Sequence, residues 1–309
     1  GATPVPFTVI AGLTNIDRGE MTQTVPKPPN LLAWAQKQKL IANDPDGSPE
    51  FDWFGYAVTL SSTGETLAVG AYVDEENGGA VAGAVYIFES GSSGYQQVQK
   101  LTASFGTDGL PEVSPQGDYF GWSVTLSSTG ETLAVGATGD EENGGSFNAG
   151  AVYIFASGSS GYQQVQKLTA SFGTDGLPEV SPQGDQLGGF VTLSSTGEIL
   201  AVAAYYDEEA GADAGAVYIF TSGSSGYQQV QKLTASDAGA GTYFSSPLLL
   251  SSTGTTLFVT SYDDENGALA GAVYIFQSGS NGYQQVDKLI ASGDADPSYD
   301  VFGGSLVCT

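Results

Sequence analysis

The sequence predicts an all-β protein, a β-propeller of four-stranded antiparallel blades, and three observations carry that prediction. The hexapeptide GAVYIF occurs four times, at 83–88, 150–155, 215–220 and 271–276. Each copy lies inside one longer unit, after a variant of LSSTGETLAVGA and before a variant of SGSSGYQQVQKLTAS. The apolar runs are short, rich in β-branched and aromatic residues, and broken by glycine about every ten positions, a pattern of strands and not of helices. Units of about 50–65 residues suit a sheet-forming repeat whose faces are buried against its neighbours.

Each unit holds four strand-like runs. The first is FGYAVTLS at 54–61, with counterparts at 120–127, 188–194 and 244–251. The second is TLAVGA at 66–71, echoed at 132–137, 199–204 and 256–261. AVYIF is the third, and the fourth begins at Tyr95, Tyr162, Tyr227 and Tyr283. Gly64, Gly130, Gly197 and Gly254 supply the turn between strands one and two, and a Ser-Gly-Ser-Ser/Asn-Gly run links three and four. Short glycine turns of this kind make hairpins, so the unit is an up-and-down meander.

LAVGA and AVYIF are apolar on both alternating faces, whereas YQQVQKL alternates with Gln and Lys. A blade packed between two others buries both faces of its inner strands and leaves its outermost strand wet. On this reading Lys100, Lys167, Lys232 and Lys288 blunt an exposed sheet edge. The blades span approximately 54–103, 120–170, 188–235 and 244–291 of one domain covering 1–309. A fifth blade is expected from both termini, 301–309 with 6–42, because LLAWAQKQKLIA (31–42) reads as an outer strand and VFGGSLVC (301–308) as a first strand. The alternative is a segment of a seven-bladed propeller.

Phe54-Gly55, Phe120-Gly121 and Phe302-Gly303 stand before strand one, and Gly70-Ala71 and Gly136-Ala137 close strand two. In these motifs the chain resembles the FG-GAP repeat proteins, whose repeat is shared with the integrin α-subunit propeller. Two copies depart from the pattern, with Leu187-Gly188 and Phe244-Ser245 for FG and Ala203-Ala204 and Thr260-Ser261 for GA. The resemblance implies a β-propeller with an extracellular adhesion or ligand-recognition role. The calcium motif of integrin-like repeats lies between strands one and two, where this chain reads SSTGET with Glu65 as its one acid. Those sites are expected to be lost.

Composition narrows the function. The chain carries 34 acidic against 8 basic residues, a net charge of −26. That field repels nucleic acid and anionic membranes and attracts cations or basic partners. With no histidine at all, the usual general base, the usual triads and the usual zinc ligand are missing. The single cysteine, Cys308, has no partner within the chain. No run is long and apolar enough for membrane insertion, and high Gly, Ser and Thr with few Lys suits a secreted or cell-surface protein.

The acidic residues gather between strands two and three and between strand four and the next strand one, two loop sets that emerge on the same face. In the 2–3 loops Asp74 and Glu76, Asp140 and Glu142, Asp207 and Glu209, and Asp263 and Glu265 are candidate Ca²⁺ ligands, since hard oxygen donors on glycine-rich loops suit that ion. Ca²⁺ is the one cofactor expected. Two 4–1 loops carry the same insertion, FGTDGLPEVSPQGD, at 105–118 and 172–185, a candidate recognition loop. Near the loop face Trp53, Tyr72, Tyr119, Trp122, Tyr205, Tyr206, Tyr243 and Tyr262 are candidate sugar-stacking residues. No acid is marked out as a unique catalytic group. The expected function is therefore non-enzymatic recognition or adhesion of a protein or glycan ligand on an acidic loop face. Architectural membership of a larger assembly is the alternative, and a glycosidase-type propeller a further one.

Overall fold

The computed structural model describes residues 36–43, 52–76, 80–104, 117–141, 148–174, 176, 184–245, 247–262 and 271–290. The expectations for 6–35 and 291–309, and so for most of a closing blade, lie outside them. Blade 1 holds β1 (Ala57–Leu60), β2 (Thr66–Ala71), a two-residue ribbon β3 (Glu75–Glu76) with β4 (Ala80–Val81), then β5 (Ala84–Gly91) and β6 (Gly94–Leu101). Blade 2 is β7 (Phe120–Leu126), β8 (Thr132–Ala137), β9 (Ala151–Gly158) and β10 (Gly161–Leu168). Blade 3 is β11 (Leu187–Leu193), β12 (Ile199–Ala204), β13 (Ala216–Gly223) and β14 (Gly226–Leu233). Blade 4 is β15 (Leu248–Leu250), β16 (Thr256–Ser261), β17 (Ala272–Gly279) and β18 (Gly282–Ile290).

Every blade is an antiparallel meander in sequence order, as the hairpin turns dictate. The architecture is that of a β-propeller. Alternate residues of the inner strands face opposite neighbours. Ala68, Val85 and Ile87 of blade 1 pack with Phe120, Leu133 and Val135 of blade 2. Val69, Ala71, Tyr86 and Phe88 face the other way, towards Leu40 and Ala42. Burial of both faces is why AVYIF carries no polar group in any copy but its tyrosine hydroxyl.

The motif glycines are explained by the seam between blades. Gly83, at φ +84°, lies so close to Phe120 that a Cβ would overlap that residue's backbone, and Gly150 meets Leu187 in the same way. A Cβ on Gly70 would sit on the Gly121 carbonyl, and one on Gly136 on the Gly188 carbonyl. The glycine of GA in one blade therefore faces the glycine of FG in the next. Both degenerate together: at the seam of blades 3 and 4 the corresponding positions are Ala203 and Ser245, and β15 starts late, at Leu248.

A second contact joins the outer strands. The Gln99 carboxamide donates to the Tyr162 carbonyl and accepts from the Tyr162 N–H, both at 2.8 Å. Gln166 holds Tyr227 and Gln231 holds Tyr283 in the same two-way fashion. Gln38 makes the same pair of bonds to Tyr95, and Asn43 trades bonds with the Gln97 amide. At these contacts segment 36–43 stands to blade 1 as the outer strand of each blade stands to the next.

The lysines of the outer strand depart from expectation. They turn inward instead of guarding the edge: the Lys167 and Lys232 side chains are 2% and 0% exposed. The edge is interrupted by a bulge in each outer strand, where the register slips past Val98, Val165, Val230 and Val286. A bulge twists a strand end away from pairing, which leaves the lysine free for another task.

Tyr162, Tyr227 and Tyr283 reach back across their blades to donate to the carbonyls of Gly130, Gly197 and Gly254 in the 1–2 hairpins. Burial pushes each of these phenols up to about 12. An acid whose folded value lies above its unfolded value of 10 favours the fold below 10, and that contribution is lost as pH rises through the folded value. Thermal stability should therefore hold to pH about 10 and fall progressively towards 12. Melting curves across that range check this; an unchanged melting temperature at pH 12 would contradict it.

Candidate functional site on the loop face

On the hairpin side of the propeller successive turns are joined by backbone. Ser62 N–H donates to Ser128 O, Ser128 to Ser195 O and Ser195 to Ser252 O, at 2.8–2.9 Å, so the four 1–2 turns form a chain of hydrogen bonds. Side-chain variety lies on the opposite side, among the 2–3 and 4–1 loops.

There the structure gives the predicted metal ligands other partners. Asp74, Asp140 and Asp207 are buried. Asp140 Oδ1 lies 2.8 Å from Lys167 Nζ, and its Oδ2 accepts from the Tyr153 hydroxyl at 2.5 Å. Asp74 is held by Lys100 and Tyr86 in the same arrangement, while at Asp207 both Lys232 and Tyr218 meet Oδ2 and the Glu209 N–H donates to Oδ1. Each ammonium also stands 5.1–5.6 Å from the centroid of its tyrosine ring. The trio ties a 2–3 loop to strands three and four of its blade. In blade 4 Lys288 Nζ also lies 2.5 Å from Asp237, in the loop between strand four of blade 3 and strand one of blade 4.

Glu209 joins Lys232 at 2.7 Å and accepts from the Thr174 N–H and hydroxyl. Burial alone would raise the Glu209 carboxyl, but the bonds from Lys232 and Thr174 outweigh it and hold it below its ordinary value. Glu76 lies in β3. Glu142, Asp263 and Glu265 lie outside the described residues, as does most of each repeated insertion. Among the described residues no group of three or more His, Cys, Asp or Glu side chains is placed to hold a metal ion.

The aromatic candidates do come together. Tyr72 sits 4.7 Å from Trp122 and 5.9 Å from Tyr119 between ring centroids, and Trp53 lies 5.8 Å from Tyr72. Tyr56, which sequence reasoning left out, completes the group at 4.6 Å from Tyr72 and 5.1 Å from Trp122. It occupies the Trp122 position of its own blade, a signal the repeat alignment carried. On blades 3 and 4, Tyr205, Tyr206, Tyr243 and Tyr262 follow one another at 6.0–6.4 Å. Burial raises the Tyr56 phenol, and the neighbouring Tyr72 and Tyr262 push it the same way. Trp53 and Tyr56 remain 57% and 45% exposed. An exposed run of large rings is uncommon on a protein surface.

Backbone conformation fixes these rings. Trp53, Tyr119, Gln186 and Tyr243, the residues just before the FG position, all have φ between 46° and 56°. Such left-handed geometry is unusual for non-glycine residues and persists where surrounding structure enforces it. Here it is enforced by interblade bonds, Gln186 N–H to Asn148 O and Tyr243 N–H to Asp213 O, both 3.1 Å. Between Tyr119, Trp122 and Tyr72 lies a cavity of about 450 Å³, bordered also by Thr138, Asn148 and Gln186.

Comparison with known proteins agrees with the motifs. No curated protein matches the chain. Among solved structures, a functionally unknown protein from Desulfotomaculum acetoxidans is similar at 10% identity and TM-score 0.48, covering 81% of this chain and 59% of its own. Sqt1 of Chaetomium thermophilum is similar at 13% identity and TM-score 0.47, covering 79% of this chain and 50% of its own. The periplasmic gluconolactonase of Pseudomonas aeruginosa is similar at 15% identity and TM-score 0.40, covering 77% and 72%. The chain spans well under two thirds of the length of the first of these. The FG-GAP repeat family matches residues 34–88, 95–155 and 227–276, more than half of the chain. With its FG and GA glycines facing one another across the blade seams, the chain belongs to the FG-GAP repeat family.

Proposed function

We propose that the protein is a non-enzymatic recognition module, secreted or held at the cell surface, that engages a protein or glycan ligand at the aromatic mouth of its loop face. The observation that supports this most is the exposed ring cluster of Trp53, Tyr56, Tyr72, Tyr119 and Trp122. Rigid aromatics presented by loops on a stiff scaffold give large contact area at small entropic cost. The reading against catalysis rests on repetition: the acids recur at equivalent positions, and those of three 2–3 loops are tied to lysine.

Binding of the purified protein to cell-surface material from its source tests this. The double variant Trp53→Ala/Trp122→Ala should lose at least tenfold in affinity while keeping its melting temperature within a few degrees; binding equal to the parent would overturn the reading. Ca²⁺ enters this proposal as a candidate cofactor of the acidic loops. Calorimetric titration after chelation should then give heat, and no heat with no thermal shift at millimolar calcium would remove it.

A further inference from the structure

The cavity beside Trp122 is formed where one copy of the repeat breaks its own rule. After strand two the other units carry Tyr72-Val73, Tyr205-Tyr206 and Tyr262-Asp263, but blade 2 carries Thr138-Gly139. In blade 3 the tyrosine fills the space: the Tyr205 ring lies where a Cβ on Gly189 would be, and its hydroxyl donates to the Gly189 carbonyl at 3.1 Å. In blade 2 the large residue has moved to the Gly189 position, as Trp122, and Thr138 and Gly139 leave a buried floor beneath it.

We propose that this cavity is a subsite for one uncharged pyranose unit of a polysaccharide, an assignment that rests on the loop-face reading above. The volume, about 450 Å³, falls within the range of about 300–1,000 Å³ usual for small-molecule sites. Tyr72, Tyr119 and Trp122 offer ring faces and edges on which the C–H faces of a sugar can stack. Asn148 and Gln186 border the cavity, and a carboxamide both donates and accepts, which matches hydroxyls that do the same. Tyr119, Asn148 and Gln186 have φ of 56°, 53° and 55°, so three of the lining residues are held in a conformation they would not adopt alone. The site is built before a ligand arrives, which lowers the cost of binding.

Charge selects among sugars. In a chain of net charge −26, none of the described lining residues is charged. A uronate or sulfated sugar would meet the repulsive field of the whole molecule with no basic group to receive it. A cationic amino sugar would find no carboxylate among the described lining residues. A neutral hexose or pentose meets neither obstacle.

The test uses Thr138→Tyr, which gives blade 2 the pairing of blade 1, where Tyr72 stands 4.6 Å from Tyr56 between ring centroids, and so should fold, together with Trp122→Ala. Source cell-surface material is presented untreated, after periodate oxidation, which cleaves vicinal diols, and after protease. Periodate should abolish binding of the parent and protease should not. Thr138→Tyr should lose at least tenfold in affinity with its melting temperature kept, and a soluble neutral glucan or mannan should compete where alginate does not. Loss on protease but not periodate would overturn the sugar assignment while leaving loop-face recognition standing, and competition by alginate alone would also overturn it. Parental affinity in Thr138→Tyr would remove the cavity as the subsite. Failure of the parent to bind any of the material would overturn the loop-face reading and this assignment with it.

Discussion

Asp140→Ala should destabilise the protein by about 3–5 kcal/mol, as expected when one partner of a buried ion pair is removed and the other stays buried. Lys167 would lose its carboxylate in a place where its side chain is 2% exposed, and the Tyr153 hydroxyl would lose its acceptor. Urea unfolding measures the effect. The double variant Asp140→Leu/Lys167→Met should cost far less, because replacing both charges by apolar groups leaves none stranded. Asp74→Ala should cost less than Asp140→Ala, since Lys100 is 16% exposed and can reach water. If the single and double variants are equally unstable, the aspartate acts through packing and not through its charge.

The second large effect concerns a seam glycine. Gly150→Ala should cost about 2–5 kcal/mol, from left-handed strain of about 1–2 kcal/mol and overpacking of about 1–3 kcal/mol. At Gly150 φ is +80° and a Cβ would overlap the backbone of Leu187. Gly117→Ala separates the two terms, for there φ is +85° and nothing lies within 4 Å of the added carbon. It should cost about 1–2 kcal/mol, the strain alone. Equal losses in the two variants would mean that the seam gives way to an added methyl.

Much of this fold was legible in the sequence because repetition averages out local ambiguity. Four copies of AVYIF, each apolar on both faces, had to be inner strands, and the glycine turns fixed their order. Gln38 makes to Tyr95 the same pair of bonds that the outer-strand glutamines make between blades, which a shared wording with YQQVQKL could suggest. The lysines were misread because the alternation of YQQVQKL says which side of the strand a residue leaves, not where a long side chain ends. The signal was present all the same: Asp74, Tyr86 and Lys100 recur as a set at Asp140, Tyr153 and Lys167 and at Asp207, Tyr218 and Lys232. A buried charge needs its counter-charge, so recurrence of all three residues together was a physical clue.

The candidate site was half legible. The aromatics could be placed near the loops from their positions at strand ends, but ring-to-ring contact depends on curvature that no single unit encodes. The cavity was hidden for another reason. Thr138 and Gly139 are unremarkable alone and become informative only beside the tyrosines that replace them elsewhere.

The glutamine contact between outer strands bears on how such a chain grows. Its two halves, Tyr162 backbone and Gln166 side chain, lie four residues apart on one strand, β10. Any tandem duplication that copies a whole unit therefore copies both socket and plug, and the new unit fits its neighbours without a further mutation. Lengthening by gene duplication meets no selective barrier at this contact. Asp287 stands at the corresponding position of β18 and offers acceptors without donors, so the unit that bears it cannot hand the same connection onward.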